Sequence, residues 1–289
     1  MQPTYVYEAL NWASSFLEQN DKENRAADIL LKHHLNVDWT DFHLSRRDNL
    51  SKSIWKAFQQ DVIRHSEGIP IQHLTGYEEF YDRRLKVNEH VLIPRPETEE
   101  LVEGVLGWLK RKQAGSLRMA DIGTGSGAIA ITLALEAPGN DVTAVDLDEQ
   151  ALDVAKQNAA FYGADVTFLQ GNLVDPLLQG TKTYDVIVSN PPYIPLEEWK
   201  NLDTVVRDHE PKHALVDSND NDGLACYRKM AAYLPTLLRT DGLAAFEVGE
   251  NQGDAVATIL QAELPLADIE VRHDMNGKPR MVFCERDGI

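Results

Sequence analysis

Asp121-Ile122-Gly123-Thr124-Gly125-Ser126-Gly127-Ala128 is the stretch on which the fold of this 289-residue chain turns. Apolar residues before it predict a strand over Leu117 to Ile122, and a helical pattern opens behind it over Gly127 to Glu136. Glycines at such a junction permit a tight turn and let a ligand approach the backbone, while free N–H groups at the helix start favour a negative group. The run satisfies Gly-x-Gly-x-Gly and, through Ala128, the dinucleotide form Gly-x-Gly-x-x-Ala, so it does not name its ligand alone. No Gly-Lys-Ser/Thr follows, which excludes a nucleoside triphosphate P-loop.

Downstream, strands and helices alternate. Strands are predicted over Val142 to Val145, Val166 to Leu169, Tyr184 to Ser189 and Leu243 to Val248, with helices over Glu149 to Phe161 and Leu224 to Arg239. This is the pattern of an α/β fold with a doubly wound, mostly parallel sheet. Ala267 to Val271 and Arg280 to Cys284 flank Asn276-Gly277, so they are expected to pair antiparallel at the sheet edge. Upstream, the prolines of Leu92-Ile93-Pro94-Arg95-Pro96-Glu97-Thr98-Glu99 keep the chain extended until a helix starts near Pro96. Gly76 to Val87 reads as two strands turning near Asp82, and Thr4 to His65 repeats apolar residues at helical spacing over three to five short helices. The expected organisation is a helical bundle over 1–75, a hairpin linker over 76–92 and an α/β domain over 93–289.

With 43% hydrophobic residues the chain can bury a sizeable core. Its first twenty residues mix acidic and polar groups with apolar ones, which fits neither a secretion signal nor a membrane span. Two cysteines, Cys226 and Cys284, make no disulfide framework and no Cys-x-x-Cys pair, so a cytoplasmic location is expected. The net charge of −18 argues against a large nucleic-acid surface, since phosphate contacts need clustered Lys and Arg. Residues 1–75 hold 8 Lys and Arg against 10 Asp and Glu, near −2, leaving −16 for the remainder. Any acidic partner would meet the N-terminal part.

Asp146, 23 residues beyond Gly123, stands at the end of a predicted strand, where a carboxylate accepts hydrogen bonds from both hydroxyls of a ribose. Asp148 beside it is expected to cap the next helix. Together the glycine loop and the acid indicate adenosine without deciding the cofactor. Asn190-Pro191-Pro192-Tyr193 separates the options. These residues follow an apolar strand, at the carboxyl end where open α/β sheets bind ligands, and a Pro-Pro pair is a stiff backbone offering acceptors and almost no donors. Hydride transfer would need a proton donor or acceptor that this corner lacks. Methyl transfer from S-adenosylmethionine to a planar nitrogen needs what it has: the Asn190 side-chain oxygen and the Pro191 carbonyl as acceptors for two N–H groups that gain positive character in the transition state. Tyr193 can pack on the flat group.

Other candidates are weaker. His209 and His213 have helical metal spacing, but Pro211 between them breaks a helix. Ser218 to Gly223, with Asp220 and Asp222, imitates part of a calcium loop, yet the first position is Ser and the twelfth is Lys229. Glu247 is expected to pack or anchor a loop rather than act as a base, and Cys226 to lie in the core. No metal is expected.

Gly123 to Gly127, Asp146 and Asn190 to Tyr193 resemble the motifs of class I S-adenosylmethionine-dependent methyltransferases. The four-residue motif is shared with adenine-N6 and cytosine-N4 DNA methyltransferases. Ile93 to Glu99, Val188 to Ile194, Glu210-Pro211 through Ala214-Leu215, Gly223-Leu224 with Tyr227, and Phe246-Glu247-Val248-Gly249 with Gln252 are similar to the bacterial peptide chain release factor glutamine methyltransferase family. The likeness runs from about Ile69 to the C-terminus and is weaker over the helical part. It implies a Rossmann-like α/β fold with a seven-stranded, mostly parallel sheet behind a small helical bundle. It further implies N5-methylation of the glutamine in the Gly-Gly-Gln loop of class I release factors. On that resemblance Gly123, Thr124, Gly125, Ser126, Gly127, Asp146, Asn172 and Asn190 would hold S-adenosylmethionine, with Leu173 where some members have an aromatic residue. Asn190, Pro191, Pro192 and Tyr193 would bind substrate, Asn190, Pro191 and Tyr193 carrying the chemistry. The bundle would dock the partner, and a monomer with no membrane or nucleic-acid partner is expected. Two rivals are a nucleic-acid base methyltransferase, which would need a basic face and a recognition region, and a non-catalytic interaction protein retaining the fold.

Overall fold

The computed structural model describes residues 3–112, 115–217 and 221–288. In chain order the elements are α1 (Val6–Glu18), α2 (Arg25–Leu35), α3 (Trp39–Leu44), α4 (Lys52–Ser66), α5 (Ile71–Thr75), β1 (Tyr77–Phe80), β2 (Arg83–Lys86), α6 (Pro96–Lys112), β3 (Arg118–Ile122), α7 (Ala128–Glu136) and β4 (Asp141–Asp146). There follow α8 (Glu149–Tyr162), β5 (Val166–Gln170), β6 (Tyr184–Ser189), β7 (Ile194–Pro195), α9 (Thr204–His209), α10 (Lys212–Leu215), β8 (Val216–Asp217), α11 (Ala225–Leu237), β9 (Leu238–Glu247), α12 (Gly253–Glu263), β10 (Asp268–His273) and β11 (Pro279–Glu285). They divide into two compact units, one of α1 to α5 with α9, the other running from Glu78 onward without α9.

In the first unit each helix turns one apolar stripe inward. Leu10, Ala13 and Leu17 of α1 meet Ala27, Leu30 and Leu31 of α2 and Phe58 and Val62 of α4 in one core, closed by Phe42. Local chemistry sets the helix ends. Asp38 and Ser51 accept from Asp41 N and Ile54 N at 2.8 and 3.2 Å, and Asn36 ends α2 in the left-handed region.

The second unit is built on a seven-stranded sheet of order β10-β11-β9-β6-β3-β4-β5. The pairs from β9 through β5 are parallel, and β11 runs antiparallel to both β9 and β10. β6 is buried along its whole length because helices cover both faces. Val186 and Val188 enter one core with α6 and α7, and Ile187 enters the other with α11 and α12. After β3 the chain winds outward through β4 and β5, then returns to the opposite side of β3 as β6. The carboxyl ends of β3 and β6 therefore flank the point where strand order reverses, the position at which such sheets open a crevice.

The hairpin turns at Tyr81 and Asp82, both at positive φ. Lys86 N donates to Asn158 Oδ1 at 2.8 Å, and Tyr162 Oη donates to Arg84 O at 2.9 Å, which ties β2 to α8. α11 stops at Leu237, short of the predicted Arg239, because Leu238 already pairs with Tyr184 and Arg239 Nη1 reaches Asp185 at 3.1 Å. β9 accordingly begins five residues before the predicted Leu243. Helix α12, with Val256 and Leu260 inward, fills a stretch for which the sequence reading had no element.

Candidate active site

The first wall of the site is the turn from β3 into α7. Gly123 N and Thr124 N donate to Val145 O at 2.8 and 2.9 Å, which folds the turn against β4. Gly123, Gly125 and Gly127 have φ of 75, 54 and 85°, the region that favours glycine. At Gly127 a Cβ would lie 2.7 Å from Ile131 Cδ1, so glycine there serves packing, whereas a Cβ at Gly125 would meet nothing within 4 Å. Thr124 and Ser126 are buried, and the Thr124 hydroxyl donates to Asp121 Oδ2 at 2.7 Å. Asp121 also accepts from Ala130 N at 3.1 Å, while its buried Oδ1 has no hydrogen-bond partner among the described residues. Burial pushes the Asp121 carboxyl up to about 7.

Asp146, ending β4, accepts from Gly125 N at 2.8 Å and from Asp148 N at 3.0 Å, so its carboxylate is pinned to the glycine turn with lone pairs left over. Burial raises its pKa, and those two hydrogen bonds oppose the shift. Asp148 caps α8 through Gln150 N at 2.8 Å, as its sequence position predicts.

The second wall follows β6. Ser189 Oγ donates to Ile122 O at 2.6 Å, locking the ends of β3 and β6 together. Asn190 Nδ2 donates to Thr98 Oγ1 at 3.1 Å, and Thr98 Oγ1 donates to Glu247 Oε2 at 2.6 Å. Glu247 is 3% exposed, and burial lifts its carboxyl to about 7, against the hydrogen bond from Thr98. Gln252 Nε2 donates to Tyr193 O at 2.9 Å while its Oε1 accepts from Gly249 N at 3.0 Å. Gly223, at φ 70°, lets this clamp close, for a Cβ there would stand 2.2 Å from Tyr193 O. Burial raises the Tyr193 phenol above its usual range. Glu210 accepts from Ile93 N at 3.2 Å and from Arg95 Nη2 at 2.5 Å, which anchors the proline-rich segment ahead of α6.

Between the walls lies a cleft of about 170 Å³. It brings together Gly123, Gly125, Asp146, Asn172, Asn190 and Pro192 of the predicted set, with Leu173 at φ 53°. Thr124, Ser126, Gly127 and Pro191 are buried outside its lining, and Tyr193 borders a neighbouring cleft with Asp222, Gly249 and Arg280. His90, Val91, Leu92, His213 and Val216 also line the first cleft, and the sequence reading assigned none of them a role there. His90 to Leu92 lie in the segment between β2 and α6, His213 in α10 and Val216 in β8, and only the fold brings them together. What distinguishes Thr98 and Gln252 is the hydrogen bonds their side chains make to groups distant in the chain, which sequence does not display.

Helix α9 ends at His209 and α10 starts at Lys212, so the break at Pro211 occurs. Ser218 and Asp220 of the calcium-like loop lie outside the described residues. Asp222 accepts from Leu224 N at 3.0 Å and pairs with Arg228. Among the described residues no cluster of three or more side chains suits a metal ion.

Residues 8–76 match the family described as the PrmC N-terminal domain, and residues 105–206 match the methyltransferase small domain. The release factor glutamine methyltransferase of Bacillus cereus is 49% identical over 283 residues, covering 98% of this chain and 99% of that protein. The chain belongs to the release factor glutamine methyltransferases. The release factor glutamine methyltransferase of Bacillus subtilis is 42% identical over 279 residues, with 96% of each chain covered. A methyltransferase from Pyrococcus furiosus shares the fold at a TM-score of 0.52 and 15% identity, over 72% of this chain and 90% of that one. No helix among the described residues is long and apolar enough to cross a membrane.

Proposed function

We propose that this chain transfers a methyl group from S-adenosylmethionine to the side-chain amide nitrogen of the glutamine in the Gly-Gly-Gln loop of class I peptide chain release factors. Family membership supports the reaction, and one observation carries the chemistry: an asparagine amide, held from behind by Thr98, at the point where strand order reverses. The cleft suits an adenosyl ligand. Gly123 and Gly125 leave its floor free of side chains, Asp146 offers acceptors for ribose hydroxyls, and Leu173 and Val91 give an apolar wall beside Asn172.

When bound, S-adenosylmethionine supplies a methyl group on a positively charged sulfur. The residues following β6 handle the acceptor. A carboxamide nitrogen is a weak nucleophile because its lone pair is delocalised, and it gains positive charge as it attacks. The Asn190 oxygen and the Pro191 carbonyl, accepting its two N–H groups, bind that charged arrangement better than the ground state. Tyr193 packs on the flat amide, and the displaced proton leaves to water. The bundle docks the release factor, consistent with its milder charge, and the acidic remainder disfavours the rival nucleic-acid substrate. We further infer a monomer acting in the cytoplasm.

The test is mass spectrometry of purified release factor after incubation with the chain and cofactor: one added methyl on the loop glutamine is expected. Methyl transfer to DNA or RNA with none to release factor would reverse the reading. Asn190→Ala should lower turnover on the order of 10²-fold at saturating cofactor, with cofactor affinity read separately by calorimetry. Wild-type turnover in that variant would remove Asn190 from the role.

A further inference from the structure

We propose that Thr98 and Glu247 are positioning residues that decide which end of the Asn190 carboxamide meets the substrate, a proposal that rests on the function above and deepens it. A carboxamide has a donor end and an acceptor end of nearly equal shape, so only its neighbours orient it. Thr98 Oγ1 spends its one proton on Glu247 Oε2 at 2.6 Å, so toward Asn190 it presents lone pairs, 3.1 Å from Nδ2. The same amide also donates toward the Glu247 carboxylate. Both contacts claim the nitrogen end and leave Oδ1 for the substrate N–H groups. All three side chains hang from different elements: Thr98 on the first turn of α6, Asn190 beyond β6 and Glu247 at the end of β9.

The relay has a direction that one proton reverses. A protonated Glu247 donates to Thr98, Thr98 then donates to the Asn190 oxygen, and the amide turns its N–H groups outward, where they oppose an N–H-bearing substrate. Glu247 meets Glu97 and Thr98 of α6, Arg280 of β11, Tyr193 beyond β6 and Tyr227 of α11, whose hydroxyl donates to Glu247 O at 2.7 Å. Burial and Glu97 favour its proton, Arg280 and the two hydrogen bonds oppose it, and the balance falls at about 7. The acceptor end is therefore presented above that pH and lost below it.

The experiment is steady-state methylation of purified release factor by the full chain across about pH 5.5 to 9, with calorimetry of cofactor binding. Wild-type kcat should fall as pH drops through about 7. Thr98→Val should lower kcat at pH 8 by roughly 10- to 100-fold with cofactor affinity unchanged and flatten that acid limb. Thr98→Ser should restore most of the turnover and the limb, and Glu247→Gln, which cannot titrate, should also flatten it. Should Thr98→Val not fold, the Ser and Gln variants carry the comparison. Wild-type kcat in Thr98→Val, or an unchanged acid limb in Glu247→Gln, overturns the proposal. A wild-type chain that methylates no release factor at any pH removes the functional reading beneath it.

Discussion

Gly125 and Gly127 stand two residues apart in one turn and share a positive φ, yet their surroundings ask different things of a substitution. Ala at 127 would drive a methyl into Ile131 and against Ala155, whereas Ala at 125 would place it in open space beside the cleft. Gly127→Ala is therefore expected to cost about 1–3 kcal/mol of stability from overpacking and strain, read as a fall in Tm. Gly125→Ala should fold with about a 1–2 kcal/mol penalty from its backbone and lose cofactor affinity, read by calorimetry. Equal cofactor affinity in Gly125→Ala and wild type would show that the cofactor does not approach that backbone. The glycines are plain in the sequence; which one guards packing and which one borders the cleft is not, because that depends on α8 supplying Ala155.

At the scale of elements, the end of β6 is held by groups from far along the chain: Ser189 on Ile122, Asn190 on Thr98, Tyr193 on Gln252. Glu210 does the same for the extended segment before α6, its carboxylate 2% exposed between Ile93 N and Arg95. Glu210→Ala leaves that amide and guanidinium without their acceptor, so a loss of about 1–3 kcal/mol is expected, with faster hydrogen exchange at the Ile93 amide. Unchanged exchange would mean that the prolines alone hold the segment. Most elements were legible because their apolar periods are clean. Helix α11 was overrun by two residues since Leu238 and Arg239 extend its pattern, and only pairing with β6 draws them into β9. Helix α12 went unread although Val256 and Leu260 are four apart, a short stripe among exposed Asp254 and Gln261.

At the scale of the whole molecule, buried acids link stability to pH, Asp121 and Glu247 among them. Asp121 and Glu247 have ordinary values of 3.8 and 4.5, each raised to about 7 by burial. Their folded forms hold protons more tightly than the unfolded chain. The stability they contribute is full below about pH 4 and is lost as pH climbs through about 7, on the order of 1 kcal/mol per pH unit for each group. Denaturant unfolding at pH 5 and at pH 8 measures this, and Asp121→Asn should reduce the difference. A difference unchanged in that variant would assign the dependence to other groups.

The sequence by itself determined the alternation of strands and helices, the glycine turn after the first parallel strand, the acid ending the next and the stiff Asn-Pro-Pro-Tyr corner. Each is encoded in neighbouring residues through period, conformational preference and local hydrogen bonding. The tertiary structure alone decided that Thr98, Asn190 and Glu247 form one chain of hydrogen bonds, and that His90 and His213 border the cleft. These groups lie tens of residues apart, and a contact between them exists only once the strand order has reversed around β3 and closed the two walls on each other.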